Sequence, residues 1–192
     1  EEGRSADLLI GNNVLAHVPD INDFVAGLKL LLAAEGIITI EFPHLLELIN
    51  KVQFDTIYHE HYSYLSLLST REIFRYHGLE IFDVKKIPTH GGSLRIYASH
   101  KESAPKVSEE LRRVEEEELS FELDRLSGYE DYVERVKTVK IQFLQFIAQA
   151  FNENKTVVAY GAAAKGNTLL NYCGIGNEFI EFVADLSSHK QG

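Results

Sequence analysis

The segment IYHEHYSY, residues 57–64, concentrates side chains that could do chemistry. It places two imidazoles, one carboxylate and three phenols within eight residues. In an extended chain, His59 and His61 would share one face, and Tyr58 and Glu60 would share the other. This arrangement is compatible with a metal site, with an acid/base site, or with an aromatic strand that has ordinary polar edges.

A metal site would use the H-x-H pair of His59 and His61 together with a third ligand. Imidazole and carboxylate groups are common ligands of zinc and other transition metals, so His17, His44 or Glu60 could complete the set. The sequence does not fix which of them does. A metal-dependent hydrolase built on the two histidines is therefore one alternative for the function.

An acid/base site asks less of the same residues. One imidazole, that of His61, would take a proton, the Glu60 carboxylate would orient it, and the Tyr58 phenol would stabilise developing oxyanion charge. These three side chains meet only if the backbone is irregular enough to bring them to one side. In a third, purely structural interpretation, the aromatic rings pack a core and the histidines lie at its rim.

Asn13 and His17 occupy a second position suited to chemistry. They follow the apolar run at residues 6–11, which is typical of a strand buried on both faces. Open α/β sheets bind ligands at the carboxyl ends of their strands, so both side chains are well placed to face a crevice.

A third candidate is the stretch AYGAAAKGN, residues 159–167. Gly161 stands between a predicted strand and a predicted helix, where a close backbone approach and free amides favour an anion such as a phosphate. Lys165 could add a positive charge, and Asp185 follows the next predicted strand, where dinucleotide folds keep an acid for a ribose. A non-catalytic or oxidoreductase nucleotide-binding module is therefore another alternative.

The first elements that must position these residues alternate between strand and helix. After the strand at residues 6–11, Asp20 is predicted to cap a helix that ends at Gly36. A second apolar run at residues 37–42 predicts a strand, and residues 45–49 are spaced as a helix. This order predicts a right-handed crossover on a parallel sheet.

Later patterns predict two strands joined as a hairpin or through a crossover, then a helical region and a second α/β unit. Ser69 and Glu72 have the spacing of a capping box, and residues 79–87 and 93–99 are predicted as two strands. Charged residues dominate 108–154, which is predicted as a helical connector divided at Gly128, and its acidic run at residues 115–118 as a solvated face. Strands at residues 156–160 and 179–184, with a helix between them, are predicted to begin a second unit.

Composition limits the function classes. The 19 basic residues against 29 acids give a net charge of −10, so we expect no nucleic-acid partner. The single cysteine excludes an internal disulfide and suits a reducing compartment, so a cytoplasmic location is expected. No apolar run approaches the ~20 residues of a membrane span, so no membrane partner is expected. Both ends resemble cuts in a longer protein.

Three blocks together resemble the sugar C-methyltransferase family: EFPHLLELINKVQFDTIYHEHYSYLSL, GNNVLAHVPDINDF and AYGAAAKGNTLLNY. These enzymes use S-adenosylmethionine to methylate a carbon of a nucleotide-linked 4-keto-deoxysugar, and the resemblance extends over the chain from Asp7 onward. It implies the C-terminal half of a Rossmann-like methyltransferase sheet in residues 1–104. A helical connector at 105–154 and the first part of a second Rossmann-like α/β domain at 155–192 would follow.

The resemblance also implies roles for residues of the first domain. His61 resembles the base that removes the proton beside the ketone, with Glu60 supporting it and Tyr58 close to the enolate oxygen. His17 matches a second active-site histidine, and Asn13, its neighbour after the strand, is expected on the cofactor side. No metal is expected at the reacting carbon, because the sulfonium methyl group is already activated.

In the second domain, Gly161, Lys165 and Asn167 resemble the loop that faces the nucleotide-sugar substrate. Proteins of the family begin with a cysteine-rich zinc domain and carry a glycine-rich loop with an acidic residue that grips S-adenosylmethionine. Those parts are absent from this sequence, so zinc is expected only in a missing N-terminal domain. We expect the fragment to be inactive alone. The sequence does not specify the sugar, the carbon, the stereochemistry or the oligomeric state.

Overall fold

A computed structural model of the chain describes residues 3–191, in which strands and helices alternate. This mixture confirms the predicted α/β class. The strands are β1 (Ala6–Asn12), β2 (Leu32–Pro43), β3 (Leu79–Ile87), β4 (Ser93–His100), β5 (Ala159–Tyr160) and β6 (Val183–Ala184). The helices are α1 (Ile21–Leu31), α2 (Leu45–Asn50), α3 (Leu67–Tyr76), α4 (Glu109–Ser120), α5 (Tyr132–Asn152) and α6 (Ala164–Cys173).

The larger sheet has the strand order β1-β2-β4-β3 and mixes two directions. β1 and β2 are parallel and are joined through α1, as the predicted crossover requires. β4 is antiparallel to both of its neighbours, β2 and β3. Of the two connections considered for β3 and β4, the structure shows the hairpin, with a turn at Thr89–Gly91 between the antiparallel strands.

The main hydrophobic core packs the sheet against the helices on its faces. Alternate residues of β2, β3 and β4 point into it, which is the period expected of a strand. Burying this apolar surface stabilises the scaffold at roughly 25 cal/mol per Å² removed from water. The core residues with no measurable exposure are Leu15, Val25, Ile38, Ile40, Phe42, Leu67, Phe74, Leu79, Leu94, Ile96, Ala98, Leu111 and Val114.

The boundary between α1 and β2 lies earlier than the sequence predicts. Asp20 caps α1 as expected, accepting hydrogen bonds from the amides of Asn22 and Asp23 at 3.0 Å. The helix ends at Leu31 and not at Gly36, because Leu32 already pairs with Ala6 of β1. Gly36 lies inside β2, where an added Cβ would stand 2.8 Å from the Ala6 carbonyl oxygen.

The start of α3 also differs from the predicted one. The N-cap is Ser66, and its capping box is formed with Ser69. The Ser66 hydroxyl accepts from the Ser69 amide at 3.0 Å, and the Ser69 hydroxyl accepts from the Ser66 amide at 3.1 Å. The predicted box of Ser69 with Glu72 is therefore wrong, because the helix begins two residues before Ser69, at Leu67.

The chain divides into two compact units. Unit 1 contains Glu1–Lys51 and Glu60–Glu130, and unit 2 contains Val52–His59 and Asp131–Gly192. The division falls inside the predicted helical connector, since Leu111 and Val114 of α4 belong to the core of unit 1, whereas α5 belongs to unit 2.

Unit 2 is built on α5, α6 and a short parallel pair, β5 and β6. Its own hydrophobic cluster contains Ile147, Cys173, Ile175 and Ile180. The strands span two residues each, fewer than the apolar runs at residues 156–160 and 179–184 predict. Within the described residues of both units, no helix has the length and apolar character needed to cross a membrane.

Candidate active site

The turn that follows β1 brings Asn13 and His17 to one edge of the sheet in unit 1. Asn13 has a left-handed backbone with φ of 54°, and its amide donates to the Glu41 carbonyl of β2 at 2.8 Å. The chain then forms a single 3-10 turn, Leu15–His17, in which Leu15 and Ala16 are buried. These buried residues hold His17 at the carboxyl end of β1, where the sequence predicts it.

The ring of His17 is fixed by hydrogen bonds on both nitrogens. Its Nδ1 lies 3.0 Å from the carbonyl oxygen of Glu60, and because a carbonyl only accepts, Nδ1 carries the proton. Its Nε2 lies 3.5 Å from Nδ2 of Asn13, a long contact in which the amide donates to the ring. This pattern matches a neutral imidazole with its proton on Nδ1.

His61 stands beside His17. The two ring centroids are 4.6 Å apart, and the ring planes are inclined by 54°. Tyr64 meets His61 edge-on, with ring centroids 6.2 Å apart. The structure therefore brings together the two histidines that the sequence places 44 positions apart.

The backbone around His61 is held by the same 3-10 turn. The amides of Tyr62 and Ser63 donate to the carbonyl of Ala16 at 2.9 and 3.3 Å. His61 is half-buried, and residues 61–64 form neither helix nor strand. The extended face-sharing pattern considered for residues 58–62 is absent, because tertiary hydrogen bonds decide the path of this segment.

Glu60 contributes its backbone to the contact with His17. Its carbonyl oxygen accepts the His17 proton, whereas its side chain is exposed. Tyr58 belongs with unit 2, where its amide donates to the Thr56 carbonyl at 3.1 Å. The structure thus unites Asn13, His17, His61 and the Glu60 backbone within unit 1.

Across residues 3–191, no group of three or more histidine, cysteine, aspartate or glutamate side chains is placed to hold a metal ion. His44, one of the third ligands considered, points its Nε2 at Glu118 Oε1, 2.7 Å away. That contact also corrects the prediction for residues 115–118, since Glu118 is fully buried and is not part of a solvated face.

Sequence reasoning missed two residues near the site, Glu118 and Tyr64. A signal for Glu118 was present, because it continues the helical spacing of the buried residues Leu111 and Val114 at seven and four positions. Tyr64 was noted only as part of the aromatic segment, and nothing in the sequence indicates that its ring would meet His61.

The loop after β5 carries the predicted residues of unit 2. Gly161 has φ of 92°, which favours glycine, and an added Cβ there would meet no atom within 4 Å. Lys165 lies in the first turn of α6 and is half-buried, and Asn167 is exposed. Gly161 therefore lies in an open turn before α6, and Lys165 and Asn167 lie in the first residues of that helix.

Asp185 is occupied by hydrogen bonds within unit 2. Its carboxylate accepts from the Ser187 amide at 2.8 Å and from the Ala162 amide at 2.7 Å. These bonds, helped by Lys190 nearby, lower the pKa of Asp185 below its ordinary value. The carboxylate therefore fastens the Gly161 loop to the end of β6.

Replacing Asp185 by asparagine is expected to make unit 2 less stable, in a pH-dependent way. Because the folded pKa is lowered, the ionised carboxylate stabilises the fold above the ordinary aspartate pKa of about 3.9. That stabilisation disappears as the pH falls through the lower, folded pKa. The difference in unfolding free energy between wild type and D185N, followed by hydrogen exchange of α6 amides, should therefore shrink on acidification.

The matched control for D185N is Glu181→Gln, which removes an exposed carboxylate of the same unit. This variant should follow the wild-type pH dependence. A difference between wild type and D185N that stayed constant from neutral pH to pH below about 3 would contradict the role given to the ionised carboxylate.

A family model described as the C-methyltransferase C-terminal domain matches residues 88–192, more than half of the chain. A curated relative, the C-methyltransferase NovU of Streptomyces niveus, is 37% identical over 187 residues. The match covers 97% of this chain and 44% of NovU, so the chain spans less than half of that relative's length.

Two solved structures resemble the chain at lower similarity. One is the magnesium protoporphyrin IX methyltransferase from Synechocystis PCC 6803 with bound SAH, at 18% identity and a TM-score of 0.40. The match covers 51% of this chain and 46% of that one. The other is an S-adenosylmethionine-dependent methyltransferase from Clostridium acetobutylicum ATCC 824, at 10% identity and a TM-score of 0.40. This second match covers 52% of this chain and 60% of the Clostridium protein.

Proposed function

We propose, from the premise that this chain belongs to the C-methyltransferase family, that it supplies the proton-abstracting half of an S-adenosylmethionine-dependent enzyme. The substrate is a nucleotide-linked keto-deoxysugar, which is enolised by a base and methylated on carbon. The observation that carries this proposal is the pairing of His61 with His17 at the carboxyl end of β1. We propose this activity and this substrate for the longer protein to which the chain corresponds in part.

His61 is the proposed general base. A C–H bond next to a ketone is acidic enough to lose its proton only when the base is fixed and the enolate oxygen is stabilised. A ring nitrogen of a neutral imidazole has a lone pair, so His61 can accept that proton. Glu60 and Tyr58 complete the proposal, with the Glu60 carboxylate supporting the imidazolium and the Tyr58 phenol donating to the enolate oxygen.

His17 holds the segment that carries the base. Its Nδ1 proton is committed to the Glu60 carbonyl, 3.0 Å away, so this hydrogen bond fixes the backbone immediately before His61. Its Nε2 lone pair faces Asn13. A neutral His17 does not repel the positive charge that His61 gains on taking a proton. Two adjacent imidazolium rings would repel each other.

Asn13 fits a role in holding S-adenosylmethionine. Its Oδ1 is buried and has no hydrogen-bond partner in the described structure, an acceptor suited to a hydroxyl or ammonium donor. It also follows β1 at the edge where open α/β sheets bind ligands. When bound, S-adenosylmethionine supplies an electrophilic methyl group, while zinc is proposed only for an upstream domain of the longer protein.

The Gly161 loop is proposed to face the nucleotide part of the substrate. Gly161 leaves the turn open, and α6 presents its amino-terminal amides beside it, a combination that favours a phosphate. Lys165 adds a positive charge in the first turn, and Asn167 adds an exposed amide. These groups would bind the diphosphate of the nucleotide.

The proposal predicts carbon-bound deuterium in the substrate. The full-length enzyme, incubated in D₂O with a nucleotide-linked 4-keto-deoxysugar, should exchange hydrogen next to the ketone, and with S-adenosylmethionine it should add a methyl group to carbon. Mass spectrometry and NMR of the sugar measure both. The matched control is the same sugar with the ketone reduced to an alcohol, whose C–H bonds are not acidic.

Methylation on oxygen or nitrogen would contradict this function, and so would equal exchange with the ketone and the alcohol. Either result would remove enolisation from the mechanism.

A further inference from the structure

Glu118 of α4 is a fully buried carboxylate that contacts the first turn of α3, just after the segment that carries His61. Its Oε1 accepts from the Leu67 amide at 2.7 Å, and its Oε2 accepts from the Leu68 amide at 2.9 Å. Its Oε1 also faces His44 Nε2 at 2.7 Å. Both side chains are 0% exposed, so this ionisable pair is sealed from water.

The seven residues from Glu60 to Ser66 connect these contacts to His17. At their beginning, the Glu60 carbonyl accepts from His17, and the amides of Tyr62 and Ser63 donate to Ala16. These residues have no helix or strand of their own, and hydrogen bonds at both ends of the segment contribute to holding their position. His61 therefore lies in a segment, residues 60–66, that is hydrogen-bonded at both ends. We call this segment the strap.

The carboxyl-terminal end of the strap is held by backbone contacts with the residues that follow β2. Leu65 forms an isolated bridge with His44, and its carbonyl accepts from the Leu45 amide at 2.9 Å. The next amides, those of Leu67 and Leu68, point at Glu118. Glu118 thus joins His44, which follows β2, to the first turn of α3.

A carboxylate is the group that this location requires. The first amides of a helix lack partners within the helix, and they favour a negative charge. His44 Nδ1 is buried without a hydrogen-bond partner in the described structure, which fits a neutral ring with its proton on Nε2, donated to Glu118. Three donors therefore compensate one buried charge, and removing that charge leaves buried donors unsatisfied.

We propose that Glu118 is a positioning residue for the base. It acts through Leu67, Leu68 and His44 to fix the exit of the strap, so that His61 stays against His17 when it takes a proton. This inference rests on the proposed function of His61. Glu118 is proposed to act only through these residues, without touching substrate or cofactor.

The test uses Glu118→Gln in the full-length enzyme. Glutamine keeps the shape, but it presents an NH₂ group where an amide or imidazole donor needs an acceptor. We expect kcat to fall about 10- to 100-fold with KM little changed, because a shift of about 1 Å in a catalytic group costs that much. We also expect the acidic limb of the kcat pH profile to move, since the surroundings of His61 change.

The matched control is Glu117→Gln, the neighbouring residue on the same helix. Glu117 pairs with Lys86 at a partly exposed position, so its loss removes a charge from α4 without touching the strap. Its kcat and pH profile should equal those of the wild type. A folded E118Q enzyme with wild-type kcat and pH profile would overturn the proposal.

Hydrogen exchange gives a reading that does not depend on activity. In the wild-type enzyme, the amides of Leu67 and Leu68 should exchange as slowly as those of β2, and rapid exchange there would overturn the proposal even if E118Q failed to fold. In E118Q, faster exchange should spread over residues 60–68 and spare β4. Should the wild type form no C-methylated sugar, the proposed function fails, whereas these exchange rates still decide whether Glu118 holds the strap.

Discussion

His61→Asn in the full-length enzyme is expected to lower kcat for methyl transfer by about 10²- to 10⁴-fold, the usual contribution of a positioned general base. Asparagine keeps a polar side chain of similar reach but cannot accept a proton near neutral pH. The half-buried ring makes only tilted and edge-on contacts with His17 and Tyr64, and it is not part of a strand, so its replacement should leave the sheet intact. Deuterium exchange next to the ketone should fall by the same factor, because it uses the same proton transfer.

The control for this variant is His59→Asn, two residues away and exposed. A general-base mechanism predicts near wild-type turnover for H59N, whereas a metal site built on the H-x-H pair predicts that both variants lose activity together with a bound metal. Elemental analysis of the wild type and both variants separates the two mechanisms. Retained turnover in H61N would remove His61 from the chemistry.

Phe42→Ala is expected to lower the unfolding free energy of unit 1 by about 3–5 kcal/mol, the range measured for large aromatic truncations in cores. Phe42 is 0% exposed, and it lies on β2 opposite Leu94 of β4. Truncation leaves a cavity that close-packed neighbours only partly fill. A loss of this size is a large fraction of the 5–15 kcal/mol that holds a typical domain folded.

Native-state hydrogen exchange of the β2 and β4 amides measures this loss within unit 1. The control is Leu30→Ala on α1, a side chain of similar character that is 83% exposed and should change the same free energy by less than about 0.5 kcal/mol. Comparable losses in the two variants would show that Phe42 is not part of the folding core.

The local elements of this protein follow from short-range patterns in its sequence. Asp20 caps α1 because an aspartate side chain reaches the amides two and three positions on, and that geometry is local. The strands of the hairpin and the parallel pair follow from apolar runs bounded by turn residues. The placement of Asn13 and His17 after β1 follows in the same way, since a ligand-binding edge is defined by strand direction alone.

Element boundaries depend on partners far along the chain. Leu32 leaves α1 because it pairs with Ala6, 26 positions earlier, and no helical pattern records that pairing. Likewise, α3 begins at Leu67, where the first amides of the helix find the Glu118 carboxylate. Competition between helix propensity and long-range pairing is settled by tertiary packing, which is why boundaries are the least predictable feature.

The sequence by itself determined the α/β class, the chemical identity of the histidine segment and the residues available after β1. Only the tertiary structure decided that the ring of His17 lies beside that of His61, that Glu60 contacts His17 through its backbone, and that Glu118 is buried. The physical reason is that side-chain chemistry and helical or strand period are encoded locally. The dry environment of Glu118, one of the six glutamates of α4, exists only once β2, α3 and α4 have packed together.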